Sequence, residues 1–465
     1  MSIVSRAQGG KGRDELAINP LFSRAGEQSV PKNRLPERSM LASTAYQIVR
    51  DELLLDGTAR FNLATFVTTW MEDEAERLYV EAADKNVIDK DEYPQLAELE
   101  ARCVRIIADL WNAPDATGTV GTSTIGSSEA CMLGGLALKR RWQQRRRAQG
   151  KPAERPNIVF GRNVQVVWEK FANYFEVEPR FVPLEGELLH LTPERLLPYL
   201  DENTIAVVAI MGSTLDGSYE PVADICAALD DYERRTGVSV PVHVDAASGG
   251  FVAPFLAPDL VWDFRLERVL SINASGHKYG LVYPGVGWVV WRRTEDLPEE
   301  LVFSVNYLGG EMPTFALNFS RPGAQVILQY YQFLRLGREG YRRVQETSRD
   351  VALHLSRTIA GMGPFELVSE GRELPVFAFK LAEGVSKYTA CDLSRKLREH
   401  GWLVPAYSLP PDREDIVVLR IVVRNGFSFD LADLFLADLK RAVEWLERLS
   451  APMPQEDTGA TGFHH

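Results

Sequence analysis

"TIAVVAIMG" (204–212) is an unbroken apolar run, rich in β-branched residues and closed by glycine. It is too short for a typical helix and suits a strand buried on both faces. Downstream, "PVADICAALDDYERRTG" (221–237) has helical spacing, and "VPVHVDAA" (240–247) returns to strand text. Upstream the same alternation appears: "NIVF" (157–160), the helical "VQVVWEKFANYF", the strand "PRFVPL", and "TPERLLPYL", where Thr192 can cap a helix and Pro193 can open it. "VLSIN" and "VGWVVW" follow with less helical text between them. Strands alternating with helices predict an α/β chain with a mainly parallel sheet covered on both faces.

Around this centre the chain divides by composition. Residues 1–60 read as a polar arm with a helical segment, 61–345 as the large domain, 346–450 as a smaller α+β domain, and 451–465 as a loose tail. The small domain rests on the helical "DLSRKLREHG" and the strand "DIVVLRIVVR". Residues 94–111 place Leu96, Leu99, Cys103, Ile106, Ile107 and Leu110 near helical spacing. With 465 residues, 45% hydrophobic and 25% charged, the chain is an ordinary globular composition. A net charge of −12 argues against a general nucleic-acid surface, and the basic run "KRRWQQRRR" (139–147) reads as the solvated end of a helix. No segment has signal-peptide or membrane-span character, so the expected compartment is the cytoplasm. The four cysteines, Cys103, Cys131, Cys226 and Cys391, show neither CxxC nor zinc spacing and read as reduced thiols.

Ligands of open parallel sheets sit beyond the carboxyl ends of strands. Three features fall there. "GTSTIGSSEACMLGG" (121–135) is a small-residue loop entering an apolar helix, so Ser127, Ser128 and the helix N-terminus suit a phosphate, although serine is also an ordinary cap. "VHVDAASGG" puts His243, Asp245 and Ala247 on one face of a strand, with the acid at its end; a turn cap is the plain alternative. "SINASGHKYG" (271–280) then sets Lys278 among glycine and serine. A lysine for a Schiff base, an acid to keep a pyridine nitrogen protonated and an anion cradle are together the needs of pyridoxal 5'-phosphate (PLP). Lys278, Asp245 and Ser127 with Ser128 fill those roles.

From about residue 40 to 450 the sequence resembles the glutamate decarboxylases of bacteria and plants, within the PLP-dependent decarboxylases. The matching text includes "NLATF", "DKNVIDKDEYP", "GTSTIGSSEACMLGGLALK", "VHVDAASGGFVAPFLAPDLVWDFRL", "SINASGHKYG", "NYLGGEMPTFALNFSRPG" and "FLRLGREGY". The resemblance implies a type I aminotransferase-like fold with sites formed between two subunits. It implies phosphate contacts from Ser127, Ser128 and His277, with Ser320 donated by the neighbouring subunit. Gln165 and Ala247 would bracket the ring, Thr214 is retained among the cofactor residues, and Lys278 and Asp245 keep the roles already given. Thr65, Phe66 and Asp89 match the pocket for the substrate's distal carboxylate, and Arg424 the residue near the α-carboxylate. Relatives commonly read "TTYTG" where this chain has "GSTLDG" (212–217), and Asp216 is expected to be an outward-facing turn residue.

The implied reaction is decarboxylation of L-glutamate to 4-aminobutanoate, consuming one proton. A decarboxylase of aspartate, cysteine sulfinate or an aromatic amino acid would share the cofactor residues, an aminotransferase would share the fold, and a catalytically silent binding protein would keep the fold without turnover. The intact Asp245 and Lys278 argue against the last, and Thr65, Asp89 and Arg424 favour glutamate. No metal site is expected. The resemblance further implies at least a homodimer, with hexamers and an acid-tolerance role among bacterial relatives. Calmodulin binding is not expected, because the tail lacks a basic amphipathic helix. The terminal His464 and His465 are expected either to be a plain tail or to close the site at neutral pH and leave it when protonated.

Overall fold

The computed structural model describes residues 33–186, 188–305 and 312–450. The histidine pair and the tail read for calmodulin lie outside the described residues, as does part of "NYLGGEMPTF". The chain divides into two compact units, 1–61 and 62–465. The described part of the first contains the helix Ala42–Leu53 and a short 3₁₀ turn, Ala59–Phe61.

The second unit is built on a seven-stranded sheet: β1 (Gly121–Thr124), β2 (Asn157–Gly161), β3 (Glu178–Val182), β4 (Thr204–Ile210), β5 (Val242–Asp245), β6 (Val269–Ala274) and β7 (Gly287–Trp291), in the order β1-β7-β6-β5-β4-β2-β3. The five strands β2 to β6 pair in parallel, while β7 runs antiparallel between β6 and β1. Every residue of β4 is buried, which accounts for its continuous apolar text. Val207, Ala209 and Met211 enter one core, and Val208 and Ile210 enter another on the opposite face. Helices cover both sides, including Pro94–Leu110, Ser127–Ala148 and Val222–Thr236.

Parallel pairing has a functional consequence. The ends of β4, β5 and β6 align, with Ile210 opposite Asp245 and Asp245 opposite Asn273. Because β1 and β6 both oppose β7, the end of β1 reaches the same edge of the sheet. The turns after these strands therefore converge.

The helix Ala324–Ala360 carries the chain past position 345, with a non-helical break at Gly337 (φ 56°). Beyond it lies an antiparallel four-stranded sheet. Short β8 (Phe303–Val305) and β9 (Met312–Thr314) pair before that helix; β10 (Phe365–Leu367), β11 (Val376–Leu381), β12 (Ala406–Ser408) and β13 (Val417–Val422) form the sheet in the order β10-β11-β13-β12. Two sequence readings need correction. Thr192 stands at the cap position but makes no side-chain cap bond. The basic run does end the Ser127–Ala148 helix, yet Trp142 and Arg146 in it are buried, Arg146 donating to the Pro152 carbonyl and pairing with Glu202. All four cysteines are free. Among the described residues no helix is long and apolar enough to cross a membrane.

Candidate active site

Asp245 ends β5 and is 5% exposed. Its Oδ2 accepts from the indole Nε1 of Trp168 at 2.9 Å and from the Cys131 thiol at 3.6 Å. Its Oδ1 accepts from the Asn273 amide at 3.0 Å and the Ala247 N–H at 3.1 Å. Several donors aimed at one carboxylate hold it still.

Lys278 follows β6 in a tight turn, and its Nζ donates to Ser248 Oγ at 3.2 Å. Desolvation lowers the amine's pKa first, against the upward pull of Asp245. That favours the unprotonated nucleophile. Phe66 stands 5.2 Å from this amine by ring centroid and 4.9 Å from the Arg420 guanidinium. The turn is held from behind by the long helix: Gln345 donates to the Tyr279 carbonyl, Gln329 and Tyr341 to that of Gly280, and Gln332 to that of Leu281. Leu281 sits at φ 66°, a conformation that needs such support in a branched residue.

The third element is the start of the Ser127–Ala148 helix, where Ser127 Oγ lies 2.7 Å from Ser275 Oγ. His277 accepts from the Gly285 N–H through Nδ1, which leaves its proton on Nε2 as a donor, and burial pushes its pKa down to about 4. Gly126 gives the loop room, since a Cβ there would come 3.1 Å from the His277 ring. Gly212 (φ 102°) shapes the turn that carries Thr214.

These parts line one cavity of about 640 Å³, together with Gln165, Thr214 and Ala247. The cavity offers a group suited to each part of a PLP cofactor: an acid in Asp245, an amine in Lys278, and hydroxyls, a neutral imidazole and a helix N-terminus for an anion. The residues present fit PLP. Gln165 also caps the Val166–Tyr174 helix, accepting from the Val167 N–H at 2.7 Å.

Other residues singled out in the sequence lie elsewhere. Ser320 is exposed and receives the Asn86 amide at 3.4 Å, outside the cavity. Thr65 accepts from the Val67 N–H, and Asp89 lies in the turn that opens the Pro94–Leu110 helix, its carbonyl accepting from Tyr93. Neither lines the cavity of its own chain. The buried Arg424 donates to the carbonyls of Asn62 and Val67 and to Thr69 Oγ1, so it orders the segment that bears Thr65 and Phe66. Asp216 corrects an expectation. It is a turn residue, accepting from the Ser218 N–H and hydroxyl, but it faces inward and is 7% exposed, with burial raising its pKa. It does not line the cavity.

Sequence reading missed Trp168, Asn273, Ser248 and Arg420. Asn273 was signalled by period two in β6, where it shares a face with Ser271, an alternation that continues to Ser275 just beyond the strand. Arg420 donates to the carbonyls of Thr214 and Ala64, tying the Thr214 edge of the cavity to the segment that bears Thr65 and Phe66.

A doubly covered sheet with a buried acid, a desolvated lysine and a hydroxyl-lined helix start at its carboxyl edge defines a PLP-dependent enzyme of the aminotransferase-like type. The pyridoxal-dependent decarboxylase conserved domain matches residues 36–382, and the chain belongs to that family. A glutamate decarboxylase of Aliivibrio fischeri is 52% identical over 97% of this chain and 98% of its own length. Glutamate decarboxylase 1 of Arabidopsis thaliana is 52% identical over 94% of this chain and 87% of its own. The solved glutamate decarboxylase of Lactobacillus brevis superimposes with a TM-score of 0.88 at 49% identity, covering 91% of this chain and 96% of that one.

Proposed function

We propose that the protein decarboxylates L-glutamate to 4-aminobutanoate and carbon dioxide with PLP as cofactor. The observation that carries this is the pairing of Lys278, desolvated beside Ser248, with an Asp245 held by four donors on the floor of the same cavity. When bound, the cofactor supplies an aldehyde for the amine and a protonated pyridine that accepts the electron pair released as the Cα–carboxylate bond breaks. Asp245 would hold the proton on the ring nitrogen. Ser127, Ser128 and His277 would hold the phosphate, Gln165 and Ala247 would flank the ring, and Thr214 would close the rim.

Lys278 would hold the cofactor through its amine, which burial beside Ser248 keeps in the unprotonated, nucleophilic form. Arg424 orders the substrate side through Asn62–Thr69. Thr65, Phe66 and Asp89 read the distal carboxylate, and Ser320 contacts the phosphate of a neighbouring copy, so the working unit is at least a homodimer. The compartment that fits is the cytoplasm.

The deciding experiment incubates the full-length protein and PLP separately with glutamate, aspartate, cysteine sulfinate and aromatic amino acids. Identification of 4-aminobutanoate, with one proton taken up per carbon dioxide in a pH-stat, is the expected result. A different amine, or a keto acid in place of carbon dioxide, overturns the assignment.

A further inference from the structure

We propose that Asn273 is a positioning residue, oriented by His243, that ties Asp245, the acid assigned to the cofactor's ring nitrogen, to the Ser127 hydroxyl assigned to its phosphate. This rests on the reading of the cavity as a PLP site.

The orientation follows from what each group can do. The Asn273 amide NH₂ donates to Asp245 Oδ1 at 3.0 Å, which fixes the side of Asn273 that faces the acid. The same nitrogen reaches Ser127 Oγ at 3.3 Å, and Ser127 in turn meets Ser275 at 2.7 Å. The Asn273 carbonyl oxygen then faces His243 Nε2 at 2.7 Å, which requires a proton on that nitrogen. The other ring nitrogen, Nδ1, accepts from the Ser271 hydroxyl at 2.7 Å. A single direction of donation thus runs from Ser271 through His243 to Asn273, and divides there between Asp245 and Ser127.

Nothing in this row has room to rearrange. Ser271, His243, Asn273 and Ser275 are all 0% exposed. The register places His243 opposite Ser271 and Asp245 opposite Asn273, so two adjacent strands hold the row at fixed spacing. From the helix side, Gly134 lets the backbone rest on the imidazole: a Cβ there would come 2.5 Å from its Cε1. Trp168, itself a donor to Asp245, packs on the same imidazole with centroids 5.1 Å apart. If Asn273 turned its amide over, two acceptors would meet at Asp245 and two donors at His243. The bond from His243 opposes that flip, since giving it up would require the imidazole to carry its proton on Nδ1 and Ser271 to reverse its donation.

The test compares the wild-type full-length chain with His243→Leu, His243→Gln and Ser271→Ala. Each is stripped of cofactor and titrated with PLP and with pyridoxal, which lacks the phosphate, with visible absorbance as the readout. His243→Leu should weaken PLP binding by about tenfold or more, the scale of one lost buried hydrogen bond, and should lower the preference for PLP over pyridoxal. His243→Gln can donate to Asn273 and accept from Ser271, and should recover binding to within about threefold. Ser271→Ala, which removes one hydroxyl, should shift both quantities in the same direction by less, and decides the matter if the leucine variant does not fold.

Unchanged PLP affinity and unchanged preference in the folded variants overturn the proposal. So does a melting temperature that falls while both binding quantities stay at wild-type values. A wild-type chain that develops no visible band with PLP would instead refute the cofactor reading, a result separate from these.

Discussion

Glu220 is a carboxylate buried behind the cavity wall, 2% exposed, and it offers a test of how the fold responds to pH. Its Oε1 accepts from the Asn163 amide and the Leu191 N–H, both at 2.9 Å, and its Oε2 from the Ile210 N–H at 2.7 Å. Asn163 and Ile210 line the site. Burial raises its pKa from the ordinary 4.5 to about 7 despite those three donors. A folded-state pKa above the unfolded one means that the folded protein holds the extra proton. The resulting stabilisation is complete below about pH 4.5 and is lost as pH rises through 7, a change of about 3 kcal/mol. Glu220→Gln cannot titrate. It also leaves one N–H donor facing an amide nitrogen, a cost of about 1–3 kcal/mol that does not depend on pH. The assay is urea denaturation of both proteins at fixed concentration between pH 5 and 8. Stability of the wild type should fall relative to the variant across that range by about 2–3 kcal/mol. His243 and His277, whose pKa values burial depresses, act in the opposite direction but are present in both proteins and cancel. Parallel curves would show that Glu220 stays ionised, its three donors outweighing burial, and would refute the reasoning.

Borohydride reduction of the holoenzyme followed by peptide mapping should label Lys278, and Lys278→Ala should lose turnover by orders of magnitude; a label on another lysine sinks the assignment. Trp168→Phe removes the 2.9 Å donor to Asp245 and should weaken PLP binding about tenfold, measured by the same absorbance titration, with unchanged affinity contradicting that role. Asp89→Asn should raise the KM for glutamate while leaving cofactor labelling intact; an unchanged KM and an unchanged preference for glutamate would place Asp89 outside the substrate pocket. Deleting residues 451–465 should extend activity toward neutral pH if His464 and His465 close the site, and a full-length pH profile in the truncated enzyme means that they do not.

What could be read from the sequence depended on how local its physical cause was. The strand–helix–strand unit from Thr204 to Asp245 was legible because burial on both faces leaves an apolar run, and because a helix packed on a sheet needs a 3.6-residue repeat. Asp245 and Lys278 were legible because strand ends of a parallel sheet are where ligands bind, and each carries its chemistry in its own side chain. Asp216 shows the limit. Its turn chemistry was read correctly, but its direction depends on the small antiparallel sheet: a Cβ on the neighbouring Gly217 would come 2.7 Å from the Val376 carbonyl, and Ser369 donates to the Asp216 carbonyl. No spacing near position 216 announces a strand about 160 residues later.

Gln329, Gln332 and Gln345 fail for the same reason. Each is buried and donates to a carbonyl of the turn after Lys278, about 50 residues or more away in sequence. Asn273 lies between the two cases. Alternation in β6 puts it on the face of Ser271 and Ser275, which marks it as polar and inward, but only the pairing of β6 with β5 brings it to Asp245. The groups expected to touch the cofactor are thus the legible ones, while those that hold them still come from distant segments. A substitution among the second set should therefore alter cofactor affinity and pH response before it abolishes the reaction, which is the pattern that separates support from chemistry in the experiments on His243, Trp168 and Glu220.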